Sequence, residues 1–201
     1  RSTLFPYTTL FRSRTGRYQH LRGKPLVRVV YCKYPYFAIN SEIAREVLDD
    51  EHYGLVVKVK ARIKQVGTVL FTIGYEGSSF ENYVNKLIQN DVRLLCDVRQ
   101  NPVSRKFGFS KKSLSVMLPK LGIDYMHIPE LGIGSEHRAG LETSEDFRAL
   151  FDIYRANLPN KQNSLEKLCV LVQNNKRVAL TCFEQDYNSC HRPVLDRKSV
   201  V

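Results

Sequence analysis

The sequence VRLLCDV at residues 92–98 decides how the chain folds, because it is typical of a strand that is buried on both faces. Three comparable apolar stretches surround it: VLFTIG at 69–74, IDYMHI at 123–128 and RVALTC at 177–182. Amphipathic helical patterns separate the four stretches. Strands that alternate with helices favour right-handed crossovers and a parallel sheet. The sequence therefore predicts an α/β domain with a mostly parallel sheet and helices on both faces.

Capping residues mark where the predicted helices begin and end. Serines at 78 and 79 precede a helix that reaches Gln89, and Ser110 begins a helix that ends near Leu118, before Pro119. The remaining helical patterns lie at residues 143–158 and 164–174, and a last helix begins at Cys190.

The region before the first strand has a less regular pattern. Residues 27–32 alternate as a strand does, residues 42–48 form a helical pattern, and residues 55–60 fit either a strand or a helix extension. A stretch of this length buries little core by itself. We interpret residues 14–68 as the remnant of a small N-terminal domain with a linker, followed by the α/β domain at 69–195.

Both ends of the chain resemble translated read-through of a short-read sequencing adaptor. The match covers TLFPYTTLFRS at residues 3–13 and DRKSVV at 196–201, in opposite orientations. We therefore expect residues 1–13 and 196–201 to be adaptor-derived and exclude them from fold reasoning. The same interpretation predicts a fragment truncated at both ends, with a closing C-terminal helix lost.

The net charge of +11 is unevenly distributed along the chain. Eight basic residues and no acidic residue precede Glu42, so that residues 42–201 carry a net charge of only +3. Strong positive charge suggests nucleic acid or an anionic surface as a partner. The near-neutral body of the chain does not support a nucleic-acid partner.

Cysteine usage and hydropathy indicate the compartment. The five cysteines are an odd number without the spacing of a small disulfide scaffold. No apolar run approaches the roughly 20 residues of a membrane helix. We expect a cytoplasmic protein with reduced thiols and no membrane partner.

The loop after the last strand, at residues 182–192, contains the strongest candidates for chemistry. Ser189 is a suitable N-cap, which would place Cys190 and its two neighbours in a first helical turn. A helix N-terminus near cations lowers the pKa of a thiol, so Cys190 is a candidate nucleophile. The alternative is that both Cys182 and Cys190 are packed core residues.

The neighbours of Cys190 add acid–base and anion-binding groups. His191 is a candidate acid or base, and Glu184 is a candidate to orient it or to accept a proton. Arg192, together with free N–H groups of the helix, would bind an anion or phosphate.

The spacing of these residues disfavours a metal site. Structural zinc ligands usually come in C-x₂₋₄-C pairs, whereas Cys182 and Cys190 are eight residues apart and no second pair exists. The glycines at 74 and 77 lack the G-x-G-x-x-G spacing of a dinucleotide site. The sequence therefore predicts neither a metal nor another cofactor.

The loop after the second strand supplies further candidates. Asp97 and Arg99 point the same way along an extended chain, so they either form an ion pair or flank a polar substrate. Ser104 and Arg105 would bind an anion, or else belong to a solvated basic loop. Glu130, after the third strand, is a candidate substrate-binding residue because ligands of parallel sheets lie beyond the carboxyl ends of the strands.

Four motifs together resemble the domain of unknown function 488 family over about residues 69–195. They are YEG at 75–77, CDVR-x-x-P-x-SR at 96–105, IPELG at 128–132 and CFE…CHR at 182–192. The resemblance implies an α/β fold and a shared polar site that includes Tyr75, and it implies no particular activity.

Two functional hypotheses follow. The first is an enzyme that acts on a phosphorylated or nucleotide-like substrate, in which Arg99, Arg105 and Arg192 bind the anion while Cys190, His191, Glu184 and Asp97 carry the chemistry. The second is a non-catalytic module that binds nucleic acid or protein through the same arginines.

Overall fold

The computed structural model describes residues 18, 20–65, 67–138, 140–186 and 189–198. They belong to two compact units: residues up to 67 together with 84–91, and residues 68–83 together with the chain from 92 onward. The predicted adaptor segment at 1–13 lies outside the described residues, and the adaptor interpretation stays a prediction. Among the helices within the described ranges, none has the length and apolarity needed to cross a bilayer.

Among its described residues up to 65, the first unit includes the α-helices α1 (Gly23–Lys33), α2 (Ala44–Val47) and α3 (Asp50–Gln65). The strand predicted at residues 27–32 is wrong. Its apolar residues belong to α1 and follow helical spacing, because Val27, Val30 and Tyr31 are all buried in one core. Residues 55–60, which fitted either structure, are helical within α3.

The second unit is built on a parallel sheet. Its strands are β1 (Val69–Gly74), β2 (Leu94–Asp97), β3 (Asp124–His127) and β4 (Arg177–Cys182). Their spatial order is β1-β4-β2-β3, and all three pairings are parallel. The predicted α/β class is therefore confirmed, and β4 lies inside the sheet although it comes last in sequence.

Helices connect the strands close to the predicted positions. They are α4 (Phe80–Gln89), which begins in the second unit, α5 (Lys111–Met117), α6 (Ser144–Asn157), α7 (Gln162–Asn175) and α8 (Arg192–Lys198). Ser110 caps α5 by accepting a hydrogen bond from the backbone of Ser113, and Thr143 caps α6 through a full capping box. The last helix begins at Arg192, two residues later than predicted, so Cys190 and His191 precede it.

Alternate residues of each central strand serve different faces of the sheet. One face of β2 and β4 joins a hydrophobic core that includes residues of α6, α7 and α8: Leu94, Cys96, Val178, Leu180, Tyr154, Leu168 and Val194. The opposite face presents Asp97 beside Thr181, whose hydroxyl accepts a hydrogen bond of 2.7 Å from Tyr83 Oη. Because Cys182 is the next residue after Thr181, its side chain belongs to the first face.

Close backbone contacts bring the loops together at the carboxyl edge of the sheet. A Cβ added to Gly74, at the end of β1, would overlap the carbonyl oxygen of Glu184. A Cβ added to Gly132 would likewise overlap the backbone nitrogen of Gln100. The loop after β1 therefore packs against the loop after β4, and the loop after β3 against the loop after β2.

Replacing Gly74 by alanine should destabilise the second unit by about 1–3 kcal/mol, because the new methyl group has no space beside the backbone of Glu184. Urea denaturation followed by circular dichroism would measure the loss. Gly54→Ala is the control, since a Cβ there meets nothing within 4 Å and alanine favours a helix. Equal stability of the two variants would contradict the close approach.

Candidate functional site

A group of reactive side chains meets beyond the carboxyl end of β4. Cys182 ends the strand, and its Sγ lies 2.9 Å from Glu184 Oε2. His191 Nδ1 lies 3.9 Å from Cys182 Sγ and 3.8 Å from Cys190 Sγ. Arg138, from the turn after β3, forms an ion pair with Glu184. We call these five residues the thiol cluster.

Two guanidinium groups balance the negative charge of this cluster. The second amino nitrogen of Arg138 lies 3.8 Å from Cys182 Sγ and 3.3 Å from His191 Nδ1. Arg192 donates from Nε to Cys190 Sγ at 3.0 Å and from Nη2 to the backbone oxygen of Glu184 at 2.5 Å. Arg192 is only 1% exposed, so it acts inside the cluster and is not available on the surface for an anion.

The environment separates the pKa values of the two thiols. A hydrogen bond from Cys190 lowers the pKa of Cys182 to about 3 despite burial, and His191 and Arg138 lower it as well. Burial raises the pKa of Cys190, and the charge of Cys182 raises it further. The pair therefore holds one thiolate and one thiol at neutral pH and titrates as a unit. Because the two thiols are coupled, the lowered pKa belongs to the pair, whereas the sequence argument assigns it to Cys190 alone.

A cleft of about 670 Å³ reaches this cluster through Cys190. One wall is formed by α6, with Phe147, Phe151 and the exposed Arg148. The other wall includes Ser189, Cys190 and residues of α8. Cys190 is thus the member of the thiol cluster that lines this cleft, although it is only 1% exposed.

A second polar cluster surrounds Asp97 on the other face of the sheet. Arg99 donates to both carboxylate oxygens of Asp97, from Nε at 2.8 Å and from Nη2 at 2.5 Å. Arg99 also donates to Tyr75 Oη and to the backbone oxygen of Phe109, each at 2.9 Å, and Tyr125 Oη donates to Asp97 at 2.7 Å. We call Asp97, Arg99, Tyr75 and Tyr125 the aspartate cluster.

Burial and ion pairing fix the charges of the aspartate cluster. Asp97 is fully buried and Arg99 is 7% exposed. Burial alone would lower the pKa of Arg99, but the hydrogen bonds and charge of Asp97 raise it above its ordinary value. Burial likewise raises the pKa of Tyr125, and the charge of Asp97 raises it further. Of the two alternatives for Asp97 and Arg99, the geometry shows the ion pair.

The structure thus distributes the candidate residues over two clusters and the surface. The thiol cluster contains or contacts Cys190, His191, Glu184 and Arg192. The aspartate cluster contains Asp97, Arg99 and Tyr75. Arg105 and Glu130 are exposed on their loops, and Ser104 accepts a hydrogen bond from the backbone of Lys106.

Three members of the clusters were not singled out from the sequence. Cys182 looks like a core residue because it ends an apolar strand, yet its Sγ contacts Glu184 and His191. Tyr125 lies within β3. The sequence analysis treated this stretch as an apolar strand and therefore did not consider its hydroxyl group. Arg138 lies in the loop after β3. Ligands of parallel sheets lie beyond the carboxyl ends of the strands, and this carboxyl-end rule was the available signal for Arg138.

The thiol cluster also contains donor atoms that suit a metal. The two Sγ atoms of Cys182 and Cys190 and a ring nitrogen of His191 all lie within 4.8 Å of one another, and all three residues are buried. The fold therefore brings together donors whose spacing along the chain does not suggest a site.

A family model described as "Domain of unknown function DUF488" matches residues 79–198. The chain belongs to this family. The matched region contains β2 to β4, α4 to α8 and both polar clusters apart from Tyr75. No curated protein and no solved structure matches the chain. The family assignment confirms the resemblance carried by the four sequence motifs, and it assigns no reaction.

Replacing Asp97 by asparagine should destabilise the second unit by about 3–5 kcal/mol, because it leaves the Arg99 charge buried without a counter-charge. The exposed pair of Asp152 and Arg155 provides the control, and Asp152→Asn should change stability by at most about 0.5 kcal/mol. Chemical denaturation measures both variants. An Asp97→Asn variant as stable as the control would show that the buried pair is not structural.

Proposed function

We propose that the second unit is an enzyme that acts on a phosphorylated or nucleotide-like substrate, with the thiol cluster as its reaction centre. The observation that carries the proposal is Cys190, which belongs to the buried cluster and also lines the cleft. Perturbed, buried ionisable groups beside a cleft are typical of catalytic sites more than of packing. Cys190, His191 and Glu184 are the groups that would carry the chemistry.

The structure suggests revised roles for the arginines. Arg99 and Arg192 are buried and donate to protein acceptors, which makes them positioning residues for Asp97 and Cys190. Arg138 neutralises Glu184 beside the thiols. Substrate anions would then be recognised by exposed cations, of which Arg148 lines the cleft and Arg105 lies in the loop after β2.

A panel of phosphomonoesters and nucleotides tests the proposal. Cys190→Ala should reduce turnover at least about 100-fold because it removes the thiol of the cluster residue that lines the cleft. Cys169→Ala is the matched control, a half-buried cysteine outside the cluster, and it should leave turnover within about twofold of the wild-type value. Full turnover by Cys190→Ala, or no turnover of any panel member by the unaltered chain, would refute the proposal.

A second candidate function, nucleic-acid binding, has its own support in a basic segment. Residues 98–123 contain six basic residues and no acidic residue, although the body of the chain is nearly neutral. Five of the six are exposed: Arg105, Lys106, Lys111, Lys112 and Lys120. The aromatic ring of Phe107 is exposed among them, at 79%. Exposed cations with an accessible aromatic ring suit a single strand, which offers phosphates and stackable bases.

Fluorescence anisotropy with a labelled single-stranded oligonucleotide tests this second function. Replacing both Arg105 and Lys112 by glutamine should weaken binding and make the slope of log K against log salt shallower by about 1.4, roughly 0.7 for each lost phosphate contact. Lys167→Gln, an exposed lysine on α7, is the control. Binding that ignores salt and the double substitution would refute this function, whereas Cys190→Ala should not affect it.

A further inference from the structure

We propose that Cys182, Cys190 and His191 bind a zinc ion. The inference rests on the proposed function in one respect, since it assigns the cofactor of the same thiol cluster. In the metal-bound form Cys190 serves as a ligand, and the ion supplies the Lewis acid at the cleft.

The donor atoms have separations close to those of a tetrahedral zinc site. With Zn–S near 2.3 Å and Zn–N near 2.0–2.1 Å, tetrahedral angles require about 3.6 Å between a sulfur and a nitrogen ligand. The observed separations from His191 Nδ1 are 3.9 Å to Cys182 Sγ and 3.8 Å to Cys190 Sγ. The two sulfur atoms lie within 4.8 Å of each other, against about 3.8 Å in a tetrahedral site, so shifts of up to about 1 Å would close the site around an ion.

The imidazole of His191 presents the correct nitrogen. A guanidinium group only donates hydrogen bonds, and Arg138 approaches Nδ1 to 3.3 Å. Nδ1 therefore carries the lone pair, which is the form that coordinates a metal. Among the described residues Nε2 is buried and has no hydrogen-bond partner. The metal-binding tautomer keeps its proton on Nε2, and this buried N–H is left without an acceptor among the described residues.

A cationic side chain, that of Arg138, already lies beside the donor atoms. Arg138 places its guanidinium beside Cys182, Glu184 and His191, while its own Nε is buried without a partner among the described residues. An arginine with an unsatisfied donor is an imperfect counter-charge. Its side chain is 27% exposed, which gives it a route towards solvent when a divalent ion takes its place.

The number and type of donors select the ion and the kind of site. Two thiolates and an imidazole favour zinc over magnesium or calcium, which prefer oxygen ligands. Three protein ligands with one remaining position are typical of catalytic zinc, whereas structural sites usually have four. The remaining position would face the cleft, because Cys190 lines it.

The test is metal binding by the whole chain after chelation under reducing conditions. We expect one equivalent of Zn²⁺ to be retained on gel filtration and measured by mass spectrometry. One equivalent of Co²⁺ should give the visible bands of a tetrahedral site and a thiolate-to-cobalt charge-transfer band. Cys182→Ser, Cys190→Ser and His191→Asn should each weaken binding at least tenfold, whereas Cys169→Ser should not.

A measurement on the unaltered chain tests the zinc site even if the variants fail to fold. X-ray absorption at the zinc edge should show two sulfur ligands together with nitrogen or oxygen ligands. Arg138→Met should bind zinc more tightly than the unaltered chain, because it removes the competing cation. No retained metal, zinc without sulfur ligands, or binding that the cluster substitutions leave unchanged would overturn the inference.

Zinc binding and turnover, measured on the same variants, distinguish failure of this inference from failure of the proposed function. Zinc should slow the alkylation of Cys182 and Cys190 by iodoacetamide relative to the zinc-free chain, while the alkylation rate of Cys169 should not change. If the chain binds no zinc but Cys190→Ala still abolishes turnover, the metal is refuted and the reaction centre stands. If zinc binds and Cys190→Ala retains turnover, the metal site is structural and the proposed function fails.

Discussion

The central position of β4 is the constraint on which the polar sites depend. Its pairing with both β1 and β2 aligns Gly74 with Cys182 and Asp97 with Thr181, so three strands end at one level. Parallel pairing is specified by buried apolar faces, and β4 is buried along five of its six residues. The loops after these strands must then meet at one edge. Arg138 and His191, which are 53 residues apart in sequence, therefore become neighbours without any local motif.

The same pairing explains why the candidate residues form two clusters and not one. Successive strand residues face opposite sides of a sheet, so Thr181 lies on the side of Asp97, and Cys182 lies on the other side. Asp97 becomes part of a closed ion-pair network with Arg99. Cys182 instead meets the residues that precede α8, next to a cleft. Of the two environments, only the second combines reactive groups with access.

Sequence periodicity was sufficient to predict the strands of the sheet, but it could not predict the side-chain contacts at the carboxyl edge. Apolar runs such as residues 177–182 predict strands because burial imposes the pattern directly. The pattern fails at residues 27–32, where tertiary burial of a helical face competes with local alternation. The carboxyl-end rule correctly identified the loops that carry both clusters. It could not assign Arg99 and Arg192 to internal pairing, because exposure depends on packing that no local sequence specifies.

The spacing of residues along the chain did not show that Cys182, Cys190 and His191 meet, for a related physical reason. The C-x₂₋₄-C rule describes ligands held by a short turn, where the local backbone alone sets the distance between them. In this fold Cys182 ends β4, while Cys190 and His191 directly precede α8, so the seven residues between Cys182 and Cys190 impose no fixed separation. The distance between donors is set by the packing of α8 against the sheet. Any residue pair that links a strand end to the following helix therefore escapes the spacing rule, and in such folds the carboxyl ends of the strands are the better guide to side chains that meet.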